Sequence, residues 1–284
     1  MNYLEKYLTE KKKLIDLTLD KILYPNNDNK LITEAMRYAV LNGGKRIRPI
    51  LTLATAESCE FDPRKVMYTA CAIELIHNYS LIHDDLPAMD NDDYRRGKLT
   101  LHRKYNEAVA ILVGDALLTK AFELIAENTK IKDISYTNCV EVIKVISRAI
   151  GSEGMIDGQI LDVLKNDTKN KKISKKFLNN IYIKKTSCLI EASVVSGAIL
   201  SNVDVDKINK LSKFGKKIGL AFQIVDDLLD NDPDKFTYVS LYGRKESKIK
   251  AINLVNDAKT ELDIFGDKAN NLKLIADYIV KRNY

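Results

Sequence analysis

The stretch of sequence that decides the fold is Glu74-Leu-Ile-His-Asn-Tyr-Ser-Leu-Ile-His-Asp-Asp-Leu-Pro-Ala-Met-Asp-Asn-Asp-Asp-Tyr-Arg-Arg-Gly97. Its five aspartates are Asp84, Asp85, Asp90, Asp92 and Asp93. Carboxylates this close raise one another's pKa unless cations neutralise them. Mg²⁺ is suited to that role, because it commonly sits between a few carboxylates and substrate phosphates. Arg95 and Arg96 follow directly, and a guanidinium can bind phosphate oxygens through paired hydrogen bonds.

The residues before these aspartates recur at helical spacing, which places them on one stripe of a helix. The stripe becomes more polar towards its end and consists of Val66, Ala70, Ile73, His77, Ser80 and Asp84. Pro87 disfavours helical geometry at Leu86, so the helix is expected to end there. The turn that follows would bring Asp90 back beside Asp84. A solvated acidic loop with two surface arginines is the alternative interpretation.

Composition favours an all-α protein. The chain has 284 residues, of which 45% are hydrophobic, with 12 glycines and 5 prolines. Few glycines and prolines favour long helices over turn-rich sheet. We therefore expect one all-α domain over 1–284, with about ten helices. The predicted ranges are 3–24, 30–41, 49–59, 62–86, 104–128, 134–164, 174–200, 204–230, 244–264 and 268–281.

Charge and cysteine usage narrow the class of protein further. The net charge of +6 comes from lysines spread along a chain without tryptophan, so anionic small substrates are favoured over nucleic acid. The 4 cysteines form no CxxC pair, which predicts reduced thiols and a cytoplasmic location. The charged N-terminus does not resemble a signal peptide. No run of roughly 18 apolar residues occurs, so no membrane-spanning segment is expected.

A second acidic cluster is Asp226-Asp227-Leu-Leu-Asp230. Asp226 and Asp230 are one helical turn apart and share a face. The same face carries Ser212, Gly215, Gly219 and Gln223, small or polar residues that suggest a helix facing a cavity. Solvated acids at a helix end are the alternative. An EF-hand is excluded, because Lys235 and Leu241 occupy the positions of its glycine and final glutamate.

The basic segment Gly43-Gly-Lys-Arg-Ile-Arg-Pro49 combines flexible glycines, three cations and a helix N-terminus. That combination suits a phosphate group. Glycine-rich basic loops are common, and His77, Lys185, Thr186, Gln159 and Asp162 are each unremarkable alone. Two acidic clusters together with several candidate phosphate-binding cations nevertheless indicate a multi-metal diphosphate site.

With these motifs in place, the chain resembles the trans-isoprenyl diphosphate synthase family. Asp84-Asp-Leu-Pro-Ala-Met-Asp-Asn-Asp-Asp-Tyr-Arg-Arg-Gly97 resembles its first aspartate-rich motif, and Asp226–Asp230 resembles its second. The family's other signatures follow its order as Gly43–Pro49, Gly154–Asp162, Lys185-Thr186 and Phe222-Gln223. The resemblance covers nearly the whole chain.

The resemblance implies the isoprenoid synthase fold, a helical bundle around a deep central cavity, and a homodimer. It implies that Asp84, Asp90 and Asp226 hold Mg²⁺, with support from Asp85 and Asp230, while Asp227 completes the second catalytic motif. Three Mg²⁺ ions are expected, and Mn²⁺ is an alternative. These ions would bridge the diphosphate of an allylic substrate.

The implied substrates are isopentenyl diphosphate and an allylic diphosphate, either dimethylallyl or geranyl diphosphate. The residues implied for isopentenyl diphosphate are Lys45, Arg48, His77 and Arg96. Those implied for the allylic diphosphate are Arg95, Lys185, Thr186, Gln223 and Lys235. The allylic diphosphate would leave, the isopentenyl double bond would attack the resulting carbocation, and a proton would then be lost. Catalysis of this kind depends on Lewis acidity and positioning.

The resemblance also implies that Tyr79 and Ser80, just before the first motif, set the length of the product. Tyr79 lies five residues before Asp84, about 7.5 Å along a helix. In the family, a bulky aromatic residue there, together with a four-residue spacer between the aspartates, is typical of bacterial members that make farnesyl diphosphate. A C15 product is therefore expected, with C20 geranylgeranyl diphosphate as the alternative.

The chain departs from the family pattern after Asp230. The loop there is much shorter than usual, and Asp234 replaces the glycine before Lys235. Two other classes of protein fit the chain less well. Terpene cyclases generally have an Asn/Ser/Glu-type triad in place of the second aspartate motif, whereas this chain keeps the aspartates. Non-catalytic subunits usually lose aspartates, whereas both clusters are intact here.

Overall fold

A computed structural model of the chain describes residues 2–24, 30–167, 174–230 and 236–281. Within those ranges the protein is almost entirely helical, which confirms the all-α prediction. The α-helices are α1 Tyr3–Ile22, α2 Lys30–Val40, α3 Ile47–Ser58, α4 Met67–Asp84, α5 Leu101–Lys104, α6 Glu107–Glu127, α7 Tyr136–Ile150, α8 Met155–Asp167, α9 Lys175–Tyr182, α10 Cys188–Leu200, α11 Val205–Leu229, α12 Tyr238–Thr260 and α13 Asn270–Lys281. A hairpin joins β1 Tyr94–Arg95 to β2 Lys98–Leu99.

The chain forms two compact units. The first comprises Met1–Ile50 and Arg64–Asp133, and the second comprises Leu51–Pro63 and Ile134–Tyr284. The prediction of a single domain over 1–284 stays a prediction.

The centre of the first unit is α4, which packs against α6 and also contacts α1 and α2. Most of its side chains are buried, including Ile73, Leu75 and Ile76. Burying apolar surface from both α4 and α6 is the main driving force for this packing. The helix that ends in the first aspartate motif is thus held along nearly its whole length.

The centre of the second unit is α10, which packs against α7 and α11, while α11 packs against α12. Glycines on α10 and α11 let neighbouring helices approach closely. A Cβ on Gly197 would lie 2.6 Å from the Thr52 carbonyl, and one on Gly215 would lie 2.8 Å from Glu191 Cα. The expectation that the small residues of α11 face a cavity is wrong at Gly215 and Gly219, because both allow close packing of neighbouring backbone.

The helix ends follow local chemistry where the capping signal is clear. Ser174 and Asp204 cap α9 and α11 through their side chains, as predicted. The helix predicted from Asp62-Pro63 instead begins with a 3-10 turn at Pro63–Val66. The helix predicted over 134–164 is broken at Gly151–Gly154, where a Cβ on Gly154 would clash with the Ala149 carbonyl.

Three further differences concern irregular elements. The hairpin β1–β2 was not predicted, because two-residue strands have no alternating pattern to detect. A short helical segment that was not predicted begins at Tyr238, and Gly243, with φ 77° and ψ 159°, separates it from the helix that continues from residue 244 as predicted. A π-helical segment, Ile183–Ser187, separates α9 from α10.

Within the described ranges, no helix has both the length and the apolar character required to cross a bilayer.

Candidate active site

The first aspartate motif lies at the carboxyl end of α4. Asp84 is the last helical residue, and the Asp90 backbone N–H donates to the Asp84 carbonyl at 2.8 Å. The turn after Pro87 therefore brings Asp90 back to Asp84, as the sequence predicted. Asp84 is half-buried and Asp90 is exposed. Both carboxylates are thus accessible, with their backbones fixed relative to one another.

Asp85 differs from its neighbours, because it is buried and paired with an arginine of β1. Arg95 Nε and Nη2 approach Asp85 Oδ1 at 2.6 and 2.5 Å, and Nη2 also contacts Asp92 at 3.0 Å. Burial raises the pKa of Asp85, although the Arg95 charge acts in the opposite direction. Arg95, predicted to bind the allylic diphosphate, is held here beside the first motif.

The hairpin turn separates the two adjacent arginines. Arg96 and Gly97 both have positive φ, 52° and 77°, so the chain reverses between Arg95 and Lys98. Arg96 Nη1 donates to the Gly43 carbonyl at 2.9 Å. A Cβ on Gly44 would lie 2.8 Å from Arg96 Nη1, so a larger residue there would displace the guanidinium from its present position. The contact joins the first motif to the basic segment at Gly43–Pro49.

Arg46 anchors that basic segment inside the first unit. Its guanidinium donates to Asp16 at 2.8 Å, to Glu74 at 2.6 Å and to the Val40 carbonyl at 2.6 Å. The backbone of Arg46 has φ 54°, which is uncommon for a residue other than glycine, and the residue is 2% exposed. Desolvation lowers the pKa of Arg46, but the Glu74 and Asp16 carboxylates outweigh it, so the pKa is raised. The sequence counted Arg46 among the three cations of a phosphate-binding segment, and that expectation is wrong for Arg46, because its guanidinium is buried and bound to protein groups.

The predicted isopentenyl diphosphate residues lie along this segment and α4. Arg48 Nη1 approaches His77 Nε2 at 3.4 Å. Burial and the nearby Arg48 and Arg96 charges hold the pKa of His77 well below its ordinary value. A neutral imidazole can accept a hydrogen bond from Arg48 without adding a charge of its own. Lys45 is exposed, two residues along from Gly43, whose carbonyl accepts from Arg96.

Tyr79 and Ser80 occupy the part of α4 just before the motif. Tyr79 is 6% exposed, and its ring packs edge-on against His83 with centroids 5.7 Å apart. Burial raises the pKa of Tyr79 to about 12. His83 in turn lies over Gly114 of α6, where a Cβ would clash with His83 Nε2. The Ser80 hydroxyl donates to the His77 carbonyl, so it is committed to its own helix.

The second aspartate motif ends α11 in the second unit. The Asp230 N–H donates to the Asp226 carbonyl at 2.9 Å, and Asp226 is half-buried while Asp230 is exposed. Asp227 is 6% exposed and accepts from the Tyr182 hydroxyl, the Tyr238 N–H at 2.8 Å and Gln223 Nε2 at 3.2 Å. Burial raises its pKa despite these donors. The carboxylate of Asp227 is therefore occupied by protein groups.

The π-helical segment presents the predicted Lys185-Thr186 pair. Thr186 Oγ1 donates to Gln223 Oε1 at 2.7 Å, and Lys185 Nζ pairs with Asp162 at 2.7 Å. A Cβ on Gly158 would clash with the Lys185 backbone nitrogen, so this glycine lets the segment approach α8. Single-turn π-helical insertions are frequent at functional sites. Lys235, also predicted for this substrate, lies outside the described residues.

The carboxylates of the two aspartate motifs are the candidate ligands for Mg²⁺. No group of three or more His, Cys, Asp or Glu side chains within the described ranges is arranged to hold a metal on its own. Mg²⁺ commonly takes one or two carboxylates, with water and substrate phosphate completing its octahedron. Asp84 and Asp90 in the first unit fit that requirement, as do Asp226 and Asp230 in the second, because each pair has solvent-accessible carboxylates.

Comparisons with known proteins identify the same chemistry. Residues 29–238 match the family model described as polyprenyl synthetase. The chain is 43% identical to the geranylgeranyl diphosphate synthase of Cyanophora paradoxa, over 98% of this chain and 96% of that protein. It is 41% identical to the farnesyl diphosphate synthase of Micrococcus luteus, over 99% of each. The crystal structure of an FPP/GFPP synthase from Zymomonas mobilis matches with a TM-score of 0.91 and 38% identity, covering 98% of both chains. The predicted isoprenoid synthase fold is confirmed.

Proposed function

Because the chain belongs to the polyprenyl synthetase family and is a trans-prenyltransferase, we propose that it is a farnesyl diphosphate synthase (geranyltranstransferase). It would condense isopentenyl diphosphate with dimethylallyl diphosphate and then with geranyl diphosphate. In each cycle the allylic C–O bond breaks, a C–C bond forms to the isopentenyl double bond, and one proton is lost. The observation that supports the C15 product is the buried Tyr79 ring, packed against His83 five residues before Asp84.

The carboxylates proposed as metal ligands are Asp84, Asp90 and Asp226, supported by Asp85 and Asp230. They would hold Mg²⁺, or Mn²⁺, which supplies the Lewis acidity that assists departure of the allylic diphosphate. The Asp90 to Asp84 backbone hydrogen bond supports this assignment, because it fixes the spacing of two accessible carboxylates before any ion binds. For Asp227 we propose a supporting role within the motif, because its carboxylate already accepts from three protein donors.

Isopentenyl diphosphate is proposed to bind at Lys45, Arg48, His77 and Arg96. The low pKa of His77 supports this, since a neutral histidine beside Arg48 adds no competing charge and can orient the guanidinium. For the allylic diphosphate we propose Arg95, Lys185, Thr186 and Gln223. Lys185 and Arg95 would exchange their aspartate partners for phosphate oxygens on binding, because charge-assisted hydrogen bonds to phosphate are of comparable strength.

A product assay tests the proposal. Purified protein is given labelled isopentenyl diphosphate, dimethylallyl diphosphate and Mg²⁺, and the products are separated by chain length. We expect a dominant C15 product, loss of activity in Asp84→Ala, and longer products from Tyr79→Ala. Asp93→Ala and Tyr79→Phe are matched controls, because Asp93 pairs with Arg103 and phenylalanine retains the bulk of the ring.

The alternatives give different results in that assay. Relatives carry both the farnesyl and the geranylgeranyl name, and a dominant C20 product from the unmodified protein would assign this chain to the second group. Absence of Mg²⁺-dependent condensation would instead favour a non-catalytic subunit.

A homodimer and a cytoplasmic location complete the proposal. Ile111 and Leu112 on α6 are 44% and 60% exposed, and we propose that a second copy of the chain covers this apolar surface. Light scattering on the purified protein tests the dimer. The four cysteines are unpaired, and burial raises the pKa of Cys59 to about 12, so inert reduced thiols fit a reducing compartment.

A further inference from the structure

Asp162 lies between two lysines in the second unit. Its Oδ1 is 2.6 Å from Lys165 Nζ, and its Oδ2 is 2.7 Å from Lys185 Nζ. Each carboxylate oxygen therefore has its own cation. Burial would raise the pKa of Asp162, but Lys185 and Lys165 outweigh it, so the pKa lies below its ordinary value. Two ammonium groups therefore hold one carboxylate.

The two lysines differ in how they are attached. Lys165 lies one turn after Asp162 on α8, so the pair stays together as long as the helix does. Its side chain is 12% exposed, against 27% for Lys185. Lys185 comes from the π-helical segment. The backbone of that segment lies close to α8, because Gly158 of α8 has no side chain in the way. The backbone of Lys185 is thus fixed against α8, while its side chain is the more accessible of the two.

We infer that Lys165 is a positioning residue that neutralises Asp162 and so lets the Lys185 ammonium turn from Asp162 to the substrate diphosphate. This rests on the proposed function of Lys185. When Lys185 leaves, Asp162 keeps one cation and is not left as an uncompensated, partly buried charge, which would be costly. Without Lys165, Asp162 would hold Lys185 back, and the affinity for the anionic substrate would fall.

The charge of Lys165 is therefore the quantity to change. Lys165→Gln removes the charge but keeps a hydrogen-bond donor at similar length. We expect the KM for geranyl diphosphate to rise about tenfold, with kcat and the KM for isopentenyl diphosphate changed less than about twofold. In the double variant Asp162→Asn/Lys165→Gln, the carboxylate no longer holds Lys185, so the KM for geranyl diphosphate should return to near the unmodified value.

Lys184→Gln is the matched control. Lys184 is the neighbour of Lys185 in the same segment, has the same 27% exposure, and pairs with Asp157 of the same helix α8. Removing that charge should leave both KM values unchanged. An equal rise in Lys184→Gln, a failure of the double variant to restore the KM, or equal losses in kcat and both KM values would overturn the inference.

A binding measurement separates this inference from the proposed function. Titration calorimetry with inorganic pyrophosphate and Mg²⁺ measures anion affinity without requiring turnover. Weaker pyrophosphate binding in Lys165→Gln but not in Lys184→Gln supports the inference even if no prenyl product forms, in which case the proposed function fails alone. Normal product formation with unchanged pyrophosphate binding in Lys165→Gln rejects the inference alone.

Discussion

Arg46 and Glu74 form an ion pair in which both side chains are almost fully buried: Nη1 lies 2.6 Å from Oε1, and the side chains are 1% and 2% exposed. The pair joins the basic segment to the middle of α4. Asp16 of α1 accepts from the same guanidinium at 2.8 Å. Three parts of the first unit therefore meet at one buried cation.

Glu74→Gln should destabilise the protein strongly. The substitution leaves the buried Arg46 charge with Asp16 as its remaining carboxylate, and breaking one partner of a buried ion pair typically costs about 3 kcal/mol. Urea denaturation measures the free energy of unfolding. Glu10→Gln is the control, because Glu10 and Lys6 are exposed and 4.0 Å apart, and such pairs contribute little. A cost for Glu74→Gln no greater than that of the control would show that Arg46 does not need Glu74.

His77 should make stability depend on pH. Its pKa is lower in the folded protein than in the unfolded chain, so below about pH 6.5 the unfolded chain binds a proton that the folded protein does not. Stability is therefore full above that pH and falls as pH decreases towards the folded pKa, by up to about 1.4 kcal/mol per pH unit. Urea denaturation at about pH 7.5 and about pH 5.5, on either side of the unfolded pKa, measures the fall. The fall in the free energy of unfolding should be smaller in His77→Gln. An identical pH dependence in both proteins would contradict a lowered pKa of His77 in the folded protein.

Gly44→Ala should weaken isopentenyl diphosphate binding. A Cβ there would lie 2.8 Å from Arg96 Nη1 and would displace the guanidinium from the Gly43 carbonyl. Gly43→Ala is a close control, because Gly43 also has positive φ, 88°, but a Cβ at Gly43 would have no neighbouring atom within 4 Å. Both variants should lose about 1 kcal/mol of stability from backbone strain. Only Gly44→Ala should raise the KM for isopentenyl diphosphate, and an equal rise in both would assign the effect to strain.

Tyr182→Phe should loosen the start of α12. The Tyr182 hydroxyl donates to Asp227 and also accepts from the Tyr238 N–H at 3.1 Å, so its loss removes a donor from a buried carboxylate. We expect a loss of about 2 kcal/mol in the free energy of unfolding. Hydrogen exchange at the Tyr238 amide should become faster. Tyr136→Phe, at a tyrosine that is 74% exposed, is the control, and a similar loss there would refute the specific role of this hydroxyl.

Local features of the fold could be predicted because they depend on neighbouring residues. Pro87 ends α4 and turns the chain so that Asp90 reaches Asp84, and both residues lie close to it in sequence. Ser174 and Asp204 cap their helices through bonds to residues three positions on. The π-helical segment was not predicted, and its contacts with Gly158 of α8 and Gly219 of α11 join residues too far apart in sequence to leave a local pattern.

The sequence by itself determined the helical class, the two aspartate motifs with their internal spacing, and the family resemblance, since all three depend on residue types at fixed short separations. Tertiary structure decided which charges are paired. Arg46 meets Glu74 across 28 positions, Lys185 meets Asp162 across 23, and Asp227 meets Tyr182 across 45. Such partners depend on how helices cross and on where glycine lets backbones approach, and neither is encoded within a single helical turn.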